Sequence, residues 1–311
     1  MLLSLIFPLV VLGEKFDGYG PTAFDISLSP EIPLEELTGY GTKHAKERKN
    51  KGFGDLSLVD FNMETEDSFD RNKLVEIAWN VLDSSHGTIM TMQSIRKGEI
   101  DALSIRALGH YEVLNSSEGS YNVQEAPITY LPIVFDTLVL DHKKSGYVRN
   151  PENNKIIYAS WAIFEHKRTK RWFTVVNVDM YSAYSEKTDV QMANILEDMN
   201  REHTVDSNPV FFMGHINAIS DRLQKVIEDK YINPLDVDRN AKEGPKFTMK
   251  NLPDILGNFQ RDFVLVRDAS SKVVRVNYAR ILRKGLPTLH YPIHAIVSFE
   301  AGDQHRTPSA A

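Results

Sequence analysis

Along this chain the hydrophobic positions switch repeatedly between a period of two and a period near 3.6, which is the pattern of strands interleaved with helices. Leu56 to Phe61 alternates as a strand and ends at Asn62. From Asp70 to Asp83, Leu74, Ile77, Ala78, Val81 and Leu82 recur at helical spacing and form one apolar face that must lie on a sheet. His86-Gly87 closes that helix, Thr88 to Gln93 reads as the next strand, and Ile100, Leu103 and Ala107 suggest a second helix. β-rich segments follow at Ile128 to Asp141, Ile157 to His166 and Arg171 to Met180, the last two joined by a charged turn from Lys167 to Lys170. A helix from about Lys187 to Glu202 turns Met192, Ile195, Leu196 and Met199 inward. Asn208 to Gly214 is a short continuous apolar strand, and Leu223, Val226, Ile227 and Tyr231 mark a helix after it. Asp262 to Arg267, Val273 to Leu282 and His294 to Phe299 read as the remaining strands. Helices interleaved with strands, some in hairpin-like pairs, predict two packed sheets flanked by helices.

The pattern breaks at both ends, and this divides the chain into four parts. Residues 1–13 carry an apolar run, Leu2 to Leu12, too short to span a bilayer, which needs roughly 20 residues. With the small Gly13 after it, the run suits a secretory signal peptide and predicts a secreted protein, although no positive charge precedes it. A buried N-terminal strand is the alternative. Residues 14–54 form a loop-rich extension with a basic run, Lys43 to Lys51, expected as a solvated helix face or linker. Residues 55–301 form one domain, and 302–311 a tail. With 311 residues and 42% hydrophobic content, the chain buries a core of that size without cross-links. The absence of cysteine removes disulfides, thiol catalysis and thiolate metal sites. A net charge of −6 argues against a general nucleic-acid footprint, which requires clustered Lys and Arg. Asn115-Ser116-Ser117 is a glycosylation sequon that matters only in a secreted chain. Walker loops, His-Glu-x-x-His and Gly-x-Ser-x-Gly are all missing.

Several short segments at strand ends carry a resemblance. Phe61-Asn62, Met92-Gln93-Ser94, Pro127-Ile128-Thr129-Tyr130, Asn177-Val178-Asp179, Gly214-His215-Ile216-Asn217 and Leu289-His290 are similar, in order and spacing, to motifs of the endonuclease/exonuclease/phosphatase (DNase I-like) family, closest to its small secreted branch. The stretch from Tyr158 to Asp179 is the most specific, and Gln191 stands where the family has a glutamine. The resemblance runs from about Leu56 to Phe299. It implies an α+β fold, a four-layer α/β/β/α sandwich of two mostly antiparallel sheets flanked by helices. It also implies metal-dependent phosphoester hydrolysis, in which a carboxylate at the end of the second strand holds Mg²⁺.

Measured against that pattern, the family's Leu-Gln-Glu is Met92-Gln93-Ser94, its Gly-Asp-x-Asn is Gly214-His215-Ile216-Asn217, its Ser-Asp-His is Thr288-Leu289-His290 and its Asn-Thr-His is Asn177-Val178-Asp179. Carboxylates are therefore missing at 94, 215 and 289, and one has appeared at 179, which leaves the site about two negative charges short for a hard divalent cation. The resemblance thus implies a degenerate metal site with Asn62, Ser94 and Asp262 as remnants, Mg²⁺ binding weak or absent, and no cofactor. Asn62, Tyr130, Asn177 and Asn217 are the expected phosphate or ligand contacts. The leading expectation is a pseudoenzyme or very weak phosphoesterase that binds a phosphate-containing small molecule, a lipid head group or a protein partner. An active phosphodiesterase or phosphatase with a rearranged centre is the alternative: His290, His215, Asp179, Asn217 and Asp262 would do the chemistry, since His and Asp have exchanged places at 179 and 215. With reference pKa values of about 3.9 and about 6.5, such a pair suits acid/base work, and its imidazoles favour Zn²⁺ or Mn²⁺ over Mg²⁺. A third reading makes the sandwich a scaffold for a secreted interaction protein whose basic arm does the binding. His86, His110, His142, His166 and His203 are expected in turns or exposed stretches, and Trp79, Trp161 and Trp172 in core packing.

Overall fold

The computed structural model describes residues 54–65, 70–107, 109–115, 117–119, 128–149, 156–180, 195, 208–216, 231–237, 248, 260–267, 274–282 and 286–299. The signal segment, the basic arm, most of the 187–202 helix with Gln191, the helix at 223–227, Asn217 and the C-terminal tail lie outside the described residues.

Among the described residues there are eleven strands and three helices. β1 (Gly54–Asn62) leads into α1 (Asn72–Ser84), β2 (Ile89–Gln93) and α2 (Lys97–Arg106). Then come β3 (Tyr111–Leu114), β4 (Ile133–Asp136), β5 (Leu140–Arg149), β6 (Ile157–His166), β7 (Trp172–Met180) and β8 (Val210–Ile216). α3 (Pro234–Val237), β9 (Asp262–Arg267), β10 (Val274–Ile281) and β11 (Ile293–Phe299) complete the series. They form a six-stranded sheet ordered β10-β11-β1-β2-β4-β3 and a five-stranded sheet ordered β5-β6-β7-β8-β9. Each sheet has a single parallel pair, β1 with β2 and β7 with β8, and is otherwise antiparallel, giving the expected α+β sandwich.

Two elements differ from the sequence pattern. β3 was not visible in it, because Tyr111 to Leu114 is too short and too exposed to show an alternation. The apolar stretch expected over Ile128 to Asp141 splits at a turn, and β5 continues to Arg149 through half-exposed polar residues, as an edge strand does.

Alternation decides what each strand contributes. Leu56 and Leu58 of β1, Ile89 of β2, Phe173 and Val175 of β7, Phe211 and Met213 of β8, and Val264 and Val266 of β9 share one core between the sheets. Phe135, Phe164, Phe173, Phe211 and Phe299 fill its centre, with neighbouring ring centroids 5.0–6.1 Å apart. The opposite faces carry Val59, Phe61, Met63, Met90 and Met92 against Leu74, Ala78, Val81 and Leu82 of α1 on one side. On the other side Val176, Val178, Phe212 and Leu265 form a separate cluster. Because side chains recur on one face every second residue, continuing the inner face past its apolar half brings out Asp60 and Asn62, Thr91 and Gln93, Asn177 and Asp179, His215, and Asp262. All stand at the same end of the sandwich. There the inter-sheet layer changes from hydrocarbon to polar side chains.

His142 and His166 depart from expectation: His142 lies inside β5, half-buried against Phe135 and Phe164, and His166 is buried at the end of β6, where burial first and Arg168 second hold its imidazole down at about 4. No helix among the described residues is long and apolar enough to cross a membrane.

Candidate active site

A hydrogen-bonded bridge between the sheets forms the floor of the polar end. Gln93 Nε2 donates to Asp60 Oδ1 at 2.8 Å and to Asn177 Oδ1 at 2.7 Å, and Thr91 Oγ1 donates to Asp60 Oδ1 at 2.8 Å. Asn177 Nδ2 donates in turn to the carbonyls of Met92 and Pro132, each at 2.9 Å. This network ties β1 and β2 of one sheet to β7 of the other, and every member is buried. Burial, with the charge of Asp262 added to it, pushes the Asp60 carboxyl up to about 8 against the hydrogen bonds from Gln93 and Thr91. Asp60 is therefore held neutral at pH 7, and Asn177 links the two sheets through this bridge.

Above this floor lies a chain of titratable groups. Asp262 opens β9, and its two oxygens accept from His215 Nδ1 at 3.1 Å and His290 Nδ1 at 2.8 Å. The other nitrogen of His290, Nε2, reaches Glu64 Oε2 at 3.0 Å. Local structure explains each placement. His215 follows Gly214, whose φ of +131° and close approach to β7, where a Cβ would meet Val178 O at 2.1 Å, exclude a side chain. Glu64 lies just past β1, where its N–H donates to Asn62 Oδ1 at 3.0 Å and its carbonyl accepts from Leu289 N–H at 2.8 Å. With the Thr65–Thr288 bridge, these bonds bring the segment before β11 alongside Glu64 and set His290 against it.

Burial alone would lower the His290 imidazole, but the charge of Asp262 and the hydrogen bonds to Asp262 and Glu64 raise it to about 10. Burial alone would raise Asp262, but His290 and His215 carry it well below the usual carboxylate range. The hydrogen bond from His290 lowers Glu64. Asp179 pairs with His215 in the β7–β8 register; it is half-buried by surface area, yet burial still pushes its carboxyl up. Asp262 and His290 are 1% exposed while the Glu64 side chain is 46% exposed, so the chain of groups runs from the interior to solvent.

The end of β2 is different. Ser94 is half-buried with φ +56°, and its carbonyl accepts from Arg71 Nη2 at 2.8 Å. Arg71 also donates to Thr65 Oγ1 at 3.3 Å and is gripped by Glu99 at 2.6 and 2.9 Å. Glu99 at the same time caps α2 by accepting from Arg96 N–H at 2.8 Å. A guanidinium thus braces the position where the resembled family has its metal carboxylate.

Of the residues singled out from sequence, Asp179, His215, Asp262 and His290 stand together, with Asn62 linked through Glu64 and Asn177 in the floor. Ser94 sits at the rim. Tyr130 stands apart: it bridges Ile95 and packs half-buried on the helix side, and among the described residues no hydrogen bond joins it to the histidines. Asn217 lies outside the described residues. Glu64, Asp60 and Arg71 were missed. Glu64 had a signal, a carboxylate two residues past Asn62 beyond the strand end, whereas Asp60 read only as part of an alternating strand.

The donors differ from those of a typical magnesium site. Magnesium takes hard oxygens in an octahedral shell; here Ser94 supplies a neutral hydroxyl and a carbonyl already engaged, and the carboxylates of Asp262 and Glu64 are hydrogen-bonded to imidazoles.

Solved structures with this architecture define the class of fold. An endonuclease/exonuclease/phosphatase from Bacteroides vulgatus superposes with a TM-score of 0.65 at 18% identity, covering 79% of this chain and 99% of that one. The catalytic domain of human Nocturnin with a bound sulfate gives 0.62 at 14%, covering 79% and 94%. A mannosyl-6-phosphatase from Bacteroides thetaiotaomicron gives 0.61 at 13%, covering 78% and 100%. The fold is that of the endonuclease/exonuclease/phosphatase, DNase I-like, proteins. No protein-family model matches the sequence. The chain is 85% identical over its full length, and that of its relative, to an uncharacterized protein of Encephalitozoon cuniculi, and the two belong to one family.

Proposed function

We propose that this protein binds phosphoester ligands at the polar end of its sandwich and that its Mg²⁺-dependent hydrolysis is weak or lost. The state of His290 carries the reading. Its imidazole is held cationic by a fixed carboxylate, Asp262, on Nδ1, while Nε2 is covered by the half-exposed Glu64. A carboxylate on an imidazolium N–H marks a position that a phosphate oxygen can take once Glu64 swings aside. The solved structures of similar fold include one with sulfate bound and one named as a sugar phosphatase, which supports an anionic ligand. The acidic chain, net charge −6, favours a phosphorylated small molecule or lipid head group over nucleic acid. Secretion belongs to the same reading, supported by the apolar run before Gly13.

Calorimetry with inorganic phosphate and a phosphorylated sugar on metal-free protein tests the binding. Saturable binding weakened at least tenfold in His290→Gln is the expected result, and no binding overturns the reading. Restoring Ser94→Glu, His215→Asp and Leu289→Asp together should regain Mg²⁺ binding that the parent lacks.

A second reading, an active phosphoesterase with a rearranged centre, is favoured by one observation: Asp179 and His215 are register partners beside the Asp262–His290 pair. Turnover of a phosphodiester by the purified parent protein, abolished in His215→Ala, would establish it.

A further inference from the structure

Two imidazoles and one carboxylate, from His215, His290 and Asp262, each offer a ligand atom within 4.8 Å of the others. We propose that this trio binds a single transition-metal ion of the Zn²⁺ or Co²⁺ type. The proposal rests on the reading of this site as one unsuited to Mg²⁺, and it names a cation that the same site accepts.

Four observations carry it. The donor set is nitrogen-rich: imidazole suits zinc and cobalt and is a poor ligand for magnesium. The geometry converges, since the Nδ1 atoms of both rings aim at the two oxygens of one carboxylate, 3.1 and 2.8 Å away, with the rings nearly perpendicular at 87° and centroids 5.1 Å apart. Donors around a tetrahedral ion with bonds of about 2.0–2.1 Å stand roughly 3.3–3.5 Å from one another, so the two nitrogen–oxygen pairs need to open by roughly 0.2–0.7 Å, while the ligand atoms of the two rings already lie within 4.8 Å of each other. The ion then takes the place of the protons that now bridge nitrogen and oxygen.

An outer support is also present. Glu64 accepts from Nε2 of His290 at 3.0 Å. A carboxylate on the far nitrogen of a metal-bound histidine fixes the ring and leaves the other lone pair for the ion. Finally, access is one-sided: Asp262 and His290 are 1% exposed and His215 7%, while Glu64 and Asp179 border solvent. Three protein ligands leave a fourth position free, as in zinc sites that bind water or substrate, and Asp179 stands beside it through its register with His215.

Chelator-stripped wild-type protein titrated with Co²⁺ and followed by visible absorption tests this without any assay of turnover. Saturation at one Co²⁺ per chain with the intense bands of a four-coordinate ion, reversed by added Zn²⁺ and untouched by excess Mg²⁺, is the expected result. His215→Gln should lose the bands, Glu64→Gln should weaken binding by about 10–100-fold with the bands retained, and His110→Gln, at an exposed turn, should change nothing. Absence of the bands in wild type, or their persistence in a folded His215→Gln, overturns the proposal. If His215→Gln does not fold, the wild-type spectrum and the Glu64→Gln affinity decide. Phosphate binding by the metal-free protein is scored separately. Bands without phosphate binding sink the functional reading and keep the metal site, whereas phosphate binding without bands does the reverse.

Discussion

At the end of β2, Ser94 presents a hydroxyl and a carbonyl braced by Arg71; where β8, β9 and the segment before β11 meet, two imidazoles and a carboxylate are locked together. Both places stand where the resembled family has acidic groups around a metal. On the Ser94 side the negative charge is gone and a guanidinium, itself neutralised by Glu99, holds the backbone in shape. On the Asp262 side the negative charge remains, and each carboxylate is balanced by a histidine nitrogen. The contrast is between two ways of arranging charge at the polar end of a sandwich: remove it, or pair it internally. Only the second leaves donors that a softer ion can use.

If that contrast is right, Asp262→Ala has the largest effect of any substitution in the site. It leaves two buried imidazole N–H groups unpaired and should cost about 3–5 kcal/mol in urea denaturation, whereas Ser94→Ala should be nearly neutral. Equal costs would erase the distinction between the two sides.

The pH dependence of the metal-free protein sharpens it. His290 lies above its ordinary value of about 6.5, so its stabilising contribution is complete below that pH and is lost as pH rises through about 10. Asp60 also lies above its ordinary value, so the folded state holds its proton to about pH 8 and stability falls as pH climbs from about 4 to 8. Asp60→Asn keeps the acceptor for Thr91 and Gln93 and removes that cost. It should gain about 1–3 kcal/mol at pH 9 and almost nothing at pH 4, measured as urea midpoints; a gain at both would place the effect elsewhere.

Arg71→Leu should loosen the Ser94 side at a cost of about 1–3 kcal/mol, because Glu99 then loses its buried partner, while leaving the imidazole signals of His215 and His290 unshifted in NMR spectra. Movement of those signals would mean that the two sides are coupled. A smaller effect, of opposite sign, belongs to Ser94→Gly. Relief of the left-handed φ of +56° should stabilise by about 0.5–1 kcal/mol, read as a rise in melting temperature.

Much of this arrangement was already visible as alternation. Leu56, Leu58, Asp60 and Asn62, or Phe211, Met213 and His215, are single-face series readable by counting in twos, and they say that the apolar face turns polar at the strand ends. The missing carboxylates at 94, 215 and 289 were equally plain against the resembled motifs. The partners were not. Glu64 and His290 are 226 residues apart, and Gln93 and Asn177 are 84. Nothing in the hydrophobic pattern singles out Arg71, which braces the rim.

By itself, then, the sequence determined which residues face inward and where the inner face becomes polar, because side-chain direction along a strand follows from local backbone geometry alone. Tertiary structure decided which of those polar groups meet and in what charge state. That depends on strand register, on the close approach of β8 to β7 at Gly214, and on the burial that keeps Asp60 neutral and His290 cationic. Burial and pairing arise only when distant segments are packed together, so no local pattern encodes them.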